Sequence, residues 1–221
     1  MTSSLRSYAQ EYQDLSPDHT VLPTYHMVTT VASDVPPEYV NRVDMELMTE
    51  WVEHALANGI AVILDLQPGR ADLMEEFERI RPLLYYEHVH LAVDPEWYML
   101  DWQIPGLHIG QIEADEINVL QAELEKIAIE TGFNRLLIVH QFKDSMIIGK
   151  ENIVDYPHVE MVICDDGAFN SEVKIKIYNQ YVAEPGYDYM AIKLFAREDD
   201  RLIPPNEIME LAPQPSIIVL Q

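Results

Sequence analysis

Polar residues stand at the ends of six apolar runs in this chain, and they are the side chains best suited to chemistry. They are Tyr25–His26, Asp65–Leu66–Gln67, Asp94–Pro95–Glu96, His140–Gln141, Asp165–Asp166 and Ile192–Lys193. Where strands and helices alternate, the carboxyl ends of the parallel strands lie at one edge of the sheet. We therefore expect these polar ends to share one pocket.

The segment Asp94-Pro-Glu96 is the strongest candidate for acid–base chemistry. Side chains alternate along a strand, so Asp94 and Glu96 should point to the same side. Two carboxyl groups in one partly desolvated mouth do not both ionise easily, and we expect the pKa of one of them to rise. The pair would then supply a proton donor and a base. The alternative is a structural ion pair with Arg70 or Lys193.

Two further carboxylates follow the apolar run that ends at Cys164. One of Asp165 and Asp166 should face the mouth and the other the helices, and we predict that Asp165 faces the mouth. The predicted catalytic residues are thus Glu96, Asp94 and Asp165. Substrate contacts are predicted for the other side chains near the same strand ends, with structural hydrogen bonds or ion pairs as the alternative: His26, Asp65, Gln67, Trp97, His140, Gln141 and Lys193.

The same mouth contains a nitrogen and oxygen donor set that could hold a metal ion, formed by His26, Asp65, Asp94, His140 and Asp165. Neither a His-x-His nor a His-Glu-x-x-His spacing links members of this set. We therefore predict no cofactor and assign no metal ligands. A divalent metal ion at this mouth is kept as an alternative.

Composition excludes several partner classes. The 221 residues include 38 acidic residues against 14 Lys plus Arg, and the formal net charge is −24. Such a charge disfavours the nucleic-acid backbone and anionic membrane surfaces. The only cysteine, Cys164, cannot form an internal disulfide and should be a buried thiol. No apolar run is long enough to span a membrane and no secretion signal is recognisable, so we expect a soluble chain without membrane insertion.

Hydrophobic patterning predicts alternating strands and helices along the whole chain. The predicted strands cover 21–31, 60–66, 89–93, 135–140, 159–164, 187–194 and 216–220. The predicted helices cover 3–14, 44–58, 71–80, 114–131, 144–148, 171–182 and 205–211. This order predicts a single α/β domain over residues 1–221, with the N-terminal helix within 1–20 and seven βα-type strands within 21–221.

Two parallel architectures compete for this pattern, the (β/α) TIM-like barrel and the open doubly wound sheet. No Gly-x-Gly-x-x-Gly follows a strand, and polar ends on nearly every strand favour the barrel. With only seven strands visible, the first strand of an eight-stranded barrel is expected to be absent, leaving edges at 21–31 and 216–220. We expect residues 1–20 to cover the gap or a second copy of the chain to pair there.

Several blocks resemble an uncharacterised family of bacterial secreted or lipoprotein-like proteins for which a TIM-like barrel is expected. They are Ile63-Leu-Asp-Leu-Gln-Pro-Gly-Arg70, Leu91-Ala-Val-Asp-Pro-Glu-Trp97, Ile109-Gly-Gln-Ile112, Glu116-Ile-Asn118, Val139-His-Gln-Phe142 with Ser145-Met146, and Val219-Leu-Gln221. The resemblance implies a barrel and a secreted or cell-surface location, and it implies no particular reaction. The chain departs from the pattern in its first strand and its export signal.

These observations favour a carbohydrate-active hydrolase that acts on a small-molecule or glycan substrate. Barrel glycosidases such as glycoside hydrolase family 25 carry a similar Asp-x-Glu at the end of a central strand. Glu96 would be the proton donor, and Asp94 or Asp165 the base or stabilising carboxylate. The alternatives are a metal-dependent hydrolase at the same mouth and a barrel that binds a glycan or a partner without turnover. A homo-oligomer formed through the open barrel edges is also expected as an alternative to a covered gap.

Overall fold

A curled sheet carries the structure. Its strands and a small separate ladder are β1 (Thr24–Ala32), β2 (Val40–Arg42), β3 (Ala61–Leu66), β4 (Val89–Val93), β5 (Ile112–Glu113), β6 (Arg135–Gln141), β7 (Ile147–Ile148), β8 (Val159–Asp165), β9 (Tyr189–Leu194) and β10 (Ile217–Leu220). The computed structural model describes residues 2–184, 187 and 189–221. The order across the sheet is β10-β9-β8-β6-β4-β3-β1-β2, and β5 pairs with β7 alone. All pairs in the sheet are parallel except β1 with β2.

Helices connect the parallel strands. They are α1 (Thr2–Leu15), α2 (Met45–Ala57), α3 (Leu73–Ile80), α4 (Ala114–Thr131), α5 (Ser171–Ile177) and α6 (Pro205–Met209). Two of them begin at an aspartate, because the side chains of Asp44 and Asp72 accept hydrogen bonds from free backbone N–H groups of the first turn. The longest helix, α4, ends at Gly132, whose φ of 78° is accessible to glycine at little cost.

The sheet has two buried faces, which explains why its central strands read as continuous apolar runs. The outer face packs against the helices and forms the larger core, with residues such as Leu64 and Val139 against Phe77 and Leu124. The inner face forms a second, smaller cluster. Its members alternate with the outer residues along each strand and are Ile63, Ala92, Ile138, Val162, Cys164, Ala191 and Val219.

Strong curvature brings the inner face together. Strand β1 is three positions away from β6 in the sheet, a separation of about 14 Å if the sheet were flat. The rings of His26 on β1 and His140 on β6 are nevertheless stacked, with centroids 5.9 Å apart and planes at 10°. The sheet therefore curls towards its inner face, so that side chains from non-adjacent strands meet.

Helix α1 lies against helices from both ends of the sheet. Arg6 donates to the Asn58 carbonyl at 2.8 Å at the end of α2, and Thr2 lies 2.7 Å from the Tyr25 hydroxyl on β1. The same helix packs against α6, which precedes the opposite edge strand β10. Tyr12 of α1 is buried in the main core. Residues 1–20 thus contribute cover at the open side of the curl, one of the two expected outcomes.

Most predicted elements agree with the structure to within a few residues. The predicted α/β fold with a mostly parallel sheet is confirmed. A closed barrel is not shown, since the strand pairs among the described residues do not join β1 to β10. Strand β2 was not predicted, because Val40–Arg42 is short and mostly polar. A tertiary contact holds it, since Arg42 Nε donates at 2.6 Å to the buried Glu76 of α3.

In the part of the chain that the structure describes, no helix combines the length and the apolar character needed to cross a bilayer.

A matched pair of substitutions tests the contribution of α1. Tyr12 is 5% exposed and its buried hydroxyl has no hydrogen-bond partner among the described residues. Tyr12→Ala should lower the free energy of unfolding by about 3–5 kcal/mol, because it leaves a cavity in the core. Tyr12→Phe should leave stability unchanged or raise it by up to about 1 kcal/mol, because it removes an unsatisfied hydroxyl. Urea unfolding measures both values, and a Tyr12→Ala loss below about 1 kcal/mol would show that α1 is not docked as described.

Candidate functional site

Polar side chains converge on the inner face, at the carboxyl ends of the strands. They come from six strands or the residues just after them: His26 (β1), Asp65 (β3), Asp94 (after β4), His140 (β6), Asp166 (after β8) and Lys193 (β9). We call this set the inner cluster. Five of its members are at most 8% exposed, and the side chain of His26 is 17% exposed. Sequence alternation and parallel pairing place the cluster there, and the curl of the sheet closes the distances.

A chain of close charged contacts runs through the inner cluster. Lys193 Nζ donates to Asp166 Oδ2 at 2.9 Å. The same oxygen lies 3.1 Å from His140 Nδ1. On the other side of the ring, His140 Nε2 lies 3.4 Å from Asp65 Oδ2, which is 2.8 Å from His26 Nε2. Basic and acidic side chains from five strands therefore alternate along a mostly buried path.

The contacts in this chain set its protonation. Burial would raise the pKa of Asp65, but His140 and His26 outweigh burial and hold it well below the usual range. The pKa of Asp166 is likewise lowered, by His140 and Lys193, against the effect of burial. Burial would lower the pKa of His140, yet Asp65 and Asp166 raise it well above its ordinary value. The chain thus holds two carboxylates between cationic neighbours.

Asp94 differs from the other carboxyl groups of the cluster. It is 1% exposed, and burial raises its pKa to about 8, although the nearby His140 opposes the shift. Its oxygens accept from Gln67 Nε2 at 3.4 Å and from the Glu96 backbone N–H at 3.1 Å. Asp94 is therefore a carboxylic acid that still carries its proton at neutral pH.

Glu96 follows Asp94 and is more accessible. It begins a short 3₁₀ turn after β4 together with Pro95, and its side chain is only partly buried. Burial raises the pKa of Glu96, the nearby Asp166 adds to the rise, and Lys193 opposes it. Glu96 thus lies near the inner cluster and is the carboxyl group there that a substrate can reach most easily.

Two predicted site residues lie on the opposite face of the sheet. Asp165 accepts from the Gly167 backbone N–H at 3.0 Å and faces the helix side, so our prediction that Asp165 rather than Asp166 faces the mouth was wrong. Gln141 accepts from Lys150 Nζ at 2.7 Å on that side, away from the cluster. The reason is alternation: His140 and Asp166 point inwards, so their neighbours Gln141 and Asp165 point outwards.

The sequence does contain a signal that indicates which residue at each strand end faces inwards. Small residues stand two positions before the inward polar residue on three strands, namely Ala92 before Asp94, Cys164 before Asp166 and Ala191 before Lys193. These small residues belong to the apolar group on the inner face of the sheet, where the curl leaves little space. The Cys164 thiol is fully buried and burial raises its pKa, in agreement with the expected inert thiol.

Support for the cluster comes from a buried lysine behind it. Lys174 of α5 is fully buried, and its Nζ donates to the Lys193 carbonyl at 2.8 Å and to the Gly167 carbonyl at 3.1 Å. It therefore ties the end of β9 to the turn that carries Asp166. This contact fixes the two backbone segments whose side chains form the Lys193–Asp166 ion pair.

The aromatic residues of the long loop lie at different depths. Trp102 is 65% exposed and its ring packs edge-on against His108 at 5.1 Å. Trp97 is partly buried, and its carbonyl accepts from the Gly69 N–H at 2.8 Å, which joins the ends of β3 and β4. The loop is further held by Arg70, whose guanidinium donates to the Gln103 carbonyl at 2.7 Å. An ion pair between Arg70 and Asp94 or Glu96, the structural alternative, is not formed among the described residues.

A cavity outside the inner cluster is the main alternative location for a site. It has a volume of ≈640 Å³ and is lined by Gln141, Lys150, Tyr181 and Glu184, among others. Lys150 Nζ is already engaged there by Glu184 at 2.7 Å and by the Tyr181 carbonyl at 3.1 Å. The partly buried Lys150 is therefore already paired within this cavity. The inner cluster, with shifted carboxyl groups and unpaired atoms, is the better candidate site.

Comparison of the chain with protein-family models, with curated proteins and with solved structures found no match. Function is therefore inferred from the geometry of the inner cluster.

Proposed function

We propose that the protein is a hydrolase of glycosidic bonds whose acid–base groups lie at the inner cluster. The observation that carries this proposal is the meeting of two kinds of carboxyl group on one face. Glu96 and Asp94 have no cationic partner within hydrogen-bond distance among the described residues, whereas Asp65 and Asp166 are held by cationic neighbours. Glycoside hydrolysis requires such a pair, a proton donor and an ionised carboxylate.

Glu96 is the proton donor in this proposal. It is partly exposed, so it can approach the leaving oxygen of a substrate, and its raised pKa keeps it protonated further towards neutral pH than an ordinary glutamate. Asp94 retains a proton at neutral pH and therefore acts as a buried hydrogen-bond donor rather than as a base.

The ionised partner in this proposal is Asp166, which replaces Asp165 in the role of stabilising carboxylate. Lys193 and His140 hold Asp166 in place from two sides, at 2.9 and 3.1 Å. A fixed negative charge at this point stabilises the positive charge that develops on the sugar ring during bond cleavage. The Glu96 carboxylate that remains after proton donation then accepts a proton from the attacking water. In this proposal, Glu96, Asp94 and Asp166 thus have distinct roles.

The substrate class follows from charge and from aromatic side chains. A formal net charge of −24 repels polyanionic glycans, so we infer a neutral or amino-sugar substrate. Trp97 and Trp102 stand in the loop that follows Glu96, where a ring face can pack against a sugar. Gln67 supplies an amide group beside Asp94, whereas Asp65 and His140 are at most 1% exposed and do not contact the substrate in this proposal.

Two further proposals concern the fold and the location of the protein. We infer that the curled sheet belongs with the (β/α) barrels, because its inner face narrows and its polar ends converge as they do in a barrel. Its resemblance to secreted and lipoprotein-like proteins supports a secreted or cell-surface location. Both inferences agree with a site that acts on glycans outside the cell.

Substitution of the proton donor tests the proposed function. Glu96→Gln keeps the size of the side chain and removes the acid, so kcat on an active substrate should fall by about 10²–10⁴-fold, while KM changes little. The substrates are a panel of 4-nitrophenyl glycosides and neutral polysaccharides followed by reducing-end release. Glu198→Gln, at an exposed position, is the matched control and should retain full activity.

Two outcomes would contradict the hydrolase proposal. Equal rates for Glu96→Gln and the unsubstituted protein would remove Glu96 as the donor. Glycan binding without turnover of any substrate in the panel would favour the non-catalytic binding protein instead.

Stability measured against pH tests the protonation of the buried carboxyl groups. The pKa of Asp94 is about 8 in the folded protein against an ordinary value of 3.8. Between these values the folded protein holds a proton that the unfolded chain has released, so the free energy of unfolding should fall as pH rises. Asp94→Asn should reduce this fall between pH 5 and pH 8, by on the order of 1–3 kcal/mol.

A second buried carboxyl group provides the control. The pKa of Asp165 is also raised to about 8 by burial, so Asp165→Asn should reduce the pH dependence of stability as well. Because Asp165 lies on the opposite face, only Asp94→Asn should also lower activity. Urea unfolding at pH 5 and pH 8 measures the effect. Parallel stability curves for all three proteins would show that these carboxyl groups titrate normally.

A further inference from the structure

We propose that His26, Asp65 and His140 form a binding site for one divalent transition-metal ion, and that Zn²⁺ fits this ligand set best. The inference goes beyond the proposed glycoside hydrolysis and does not depend on it. Sequence spacing assigned no metal ligands, because the three residues come from three separate strands and no local motif joins them. The curl of the sheet is what brings them together.

The donor atoms are already close to a coordination geometry. One ligand atom from each of the three residues lies within 4.8 Å of the others. Asp65 Oδ2 is 3.4 Å from His140 Nε2 and 2.8 Å from His26 Nε2. In a tetrahedral site with bonds of about 2.0–2.1 Å, ligand atoms stand about 3.3–3.4 Å apart. The His140 contact already has this spacing, and the His26 contact needs to open by about half an ångström.

Unpaired buried atoms point to a ligand at this place. Asp65 is 1% exposed and its Oδ1 has no hydrogen-bond partner among the described residues. His140 is fully buried, and neither of its ring nitrogens makes a well-aligned hydrogen bond within that part of the chain. Such orphaned polar atoms are costly in a core. A cation bound by Asp65 and His140 would give His140 Nε2 a partner, and it would also satisfy Asp65 Oδ1 where both carboxylate oxygens bind.

Metal-binding histidines commonly have a carboxylate at their second ring nitrogen, and Asp166 has this position beside His140. Asp166 Oδ2 lies 3.1 Å from His140 Nδ1, the nitrogen that does not face Asp65. Binding of the ion would displace the proton from His140 Nε2, and a carboxylate at Nδ1 would keep the remaining proton on Nδ1. Lys193 in turn holds the Asp166 oxygen at 2.9 Å. Asp166 would therefore position the ligand without binding the ion itself.

The ligand types select the kind of ion. Two imidazoles and one carboxylate form the set found in zinc hydrolases and in non-haem iron sites, whereas Mg²⁺ and Ca²⁺ prefer oxygen ligands. Three protein ligands leave a coordination position for water or substrate. His26 is the accessible ligand, since its side chain is 17% exposed.

Calorimetry with Zn²⁺ tests the proposal on the full chain after removal of metals with a chelator. We expect one Zn²⁺ per chain and a rise in Tm with added Zn²⁺. His26→Ala and Asp65→Asn should each weaken binding by at least about 100-fold, and Asp166→Asn by about 10–100-fold. His26→Ala is the safer variant, because His26 lies at the partly exposed side of the sheet, and circular dichroism verifies its folding.

Matched controls separate this site from the acidic surface. His158→Ala, at an exposed position, and Asp165→Asn, on the opposite face, should leave Zn²⁺ affinity unchanged. Glu96→Gln should also retain Zn²⁺ binding, so a failure of the metal site and a failure of the proposed hydrolysis are distinguishable. Binding of Co²⁺ should give the visible spectrum of a tetrahedral site.

Two results would overturn the metal site. The first is the absence of Zn²⁺ binding by the chelator-treated protein at micromolar concentrations. The second is Zn²⁺ binding that His26→Ala and Asp65→Asn leave unchanged, since the ion would then be held by surface carboxylates.

Discussion

The curvature of the sheet is the constraint on which the site depends. Parallel strands alone would leave β1 and β6 separated by about 14 Å, too far for His26 and His140 to share one carboxylate. In the curled sheet both imidazoles approach Asp65, and the ring centroids are 5.9 Å apart. Small residues on the inner face, such as Ala92 and Ala191, permit this curl, because larger side chains would fill the narrow interior.

Buried charge is the second constraint, and it explains why the cluster is arranged as a chain. An isolated ion in a core is strongly destabilising, whereas alternating cations and anions offset much of the desolvation cost. Asp166 is bounded by Lys193 and His140, and Asp65 by His140 and His26. Asp94 lacks a cation at hydrogen-bond distance and keeps its proton instead. The same electrostatic rule therefore produces both the ionised and the neutral carboxyl groups.

Much of the fold could be predicted from the sequence, because buried parallel strands and amphipathic helices leave clear periodicities. Strand β3 and helix α4 are examples in which the apolar pattern alone locates the element. Strand β2 could not be predicted, since it depends on the contact of Arg42 with the buried Glu76. The curl of the sheet also could not be predicted, because it depends on packing between elements that are distant in the chain, such as α1 and α6.

The location of the candidate site was predicted correctly, but the face of the sheet was wrong for two of its residues. Five inner residues follow from the ends of apolar runs, yet Asp165 and Gln141 point outwards because one residue along a strand changes the face. The metal donor set shows a different limit. Its members are separated by 39 residues or more in the chain, so only the three-dimensional curl relates His26 to Asp65 and His140.

The separation of the His26 and His140 rings tests the central claim most directly, because only the curl lets both histidines contact Asp65. A crystal structure of the protein should show the two imidazoles stacked with centroids close to 5.9 Å apart and Asp65 in contact with both. A separation near the roughly 14 Å of a flat sheet would contradict the account, since the three metal ligands could not then meet.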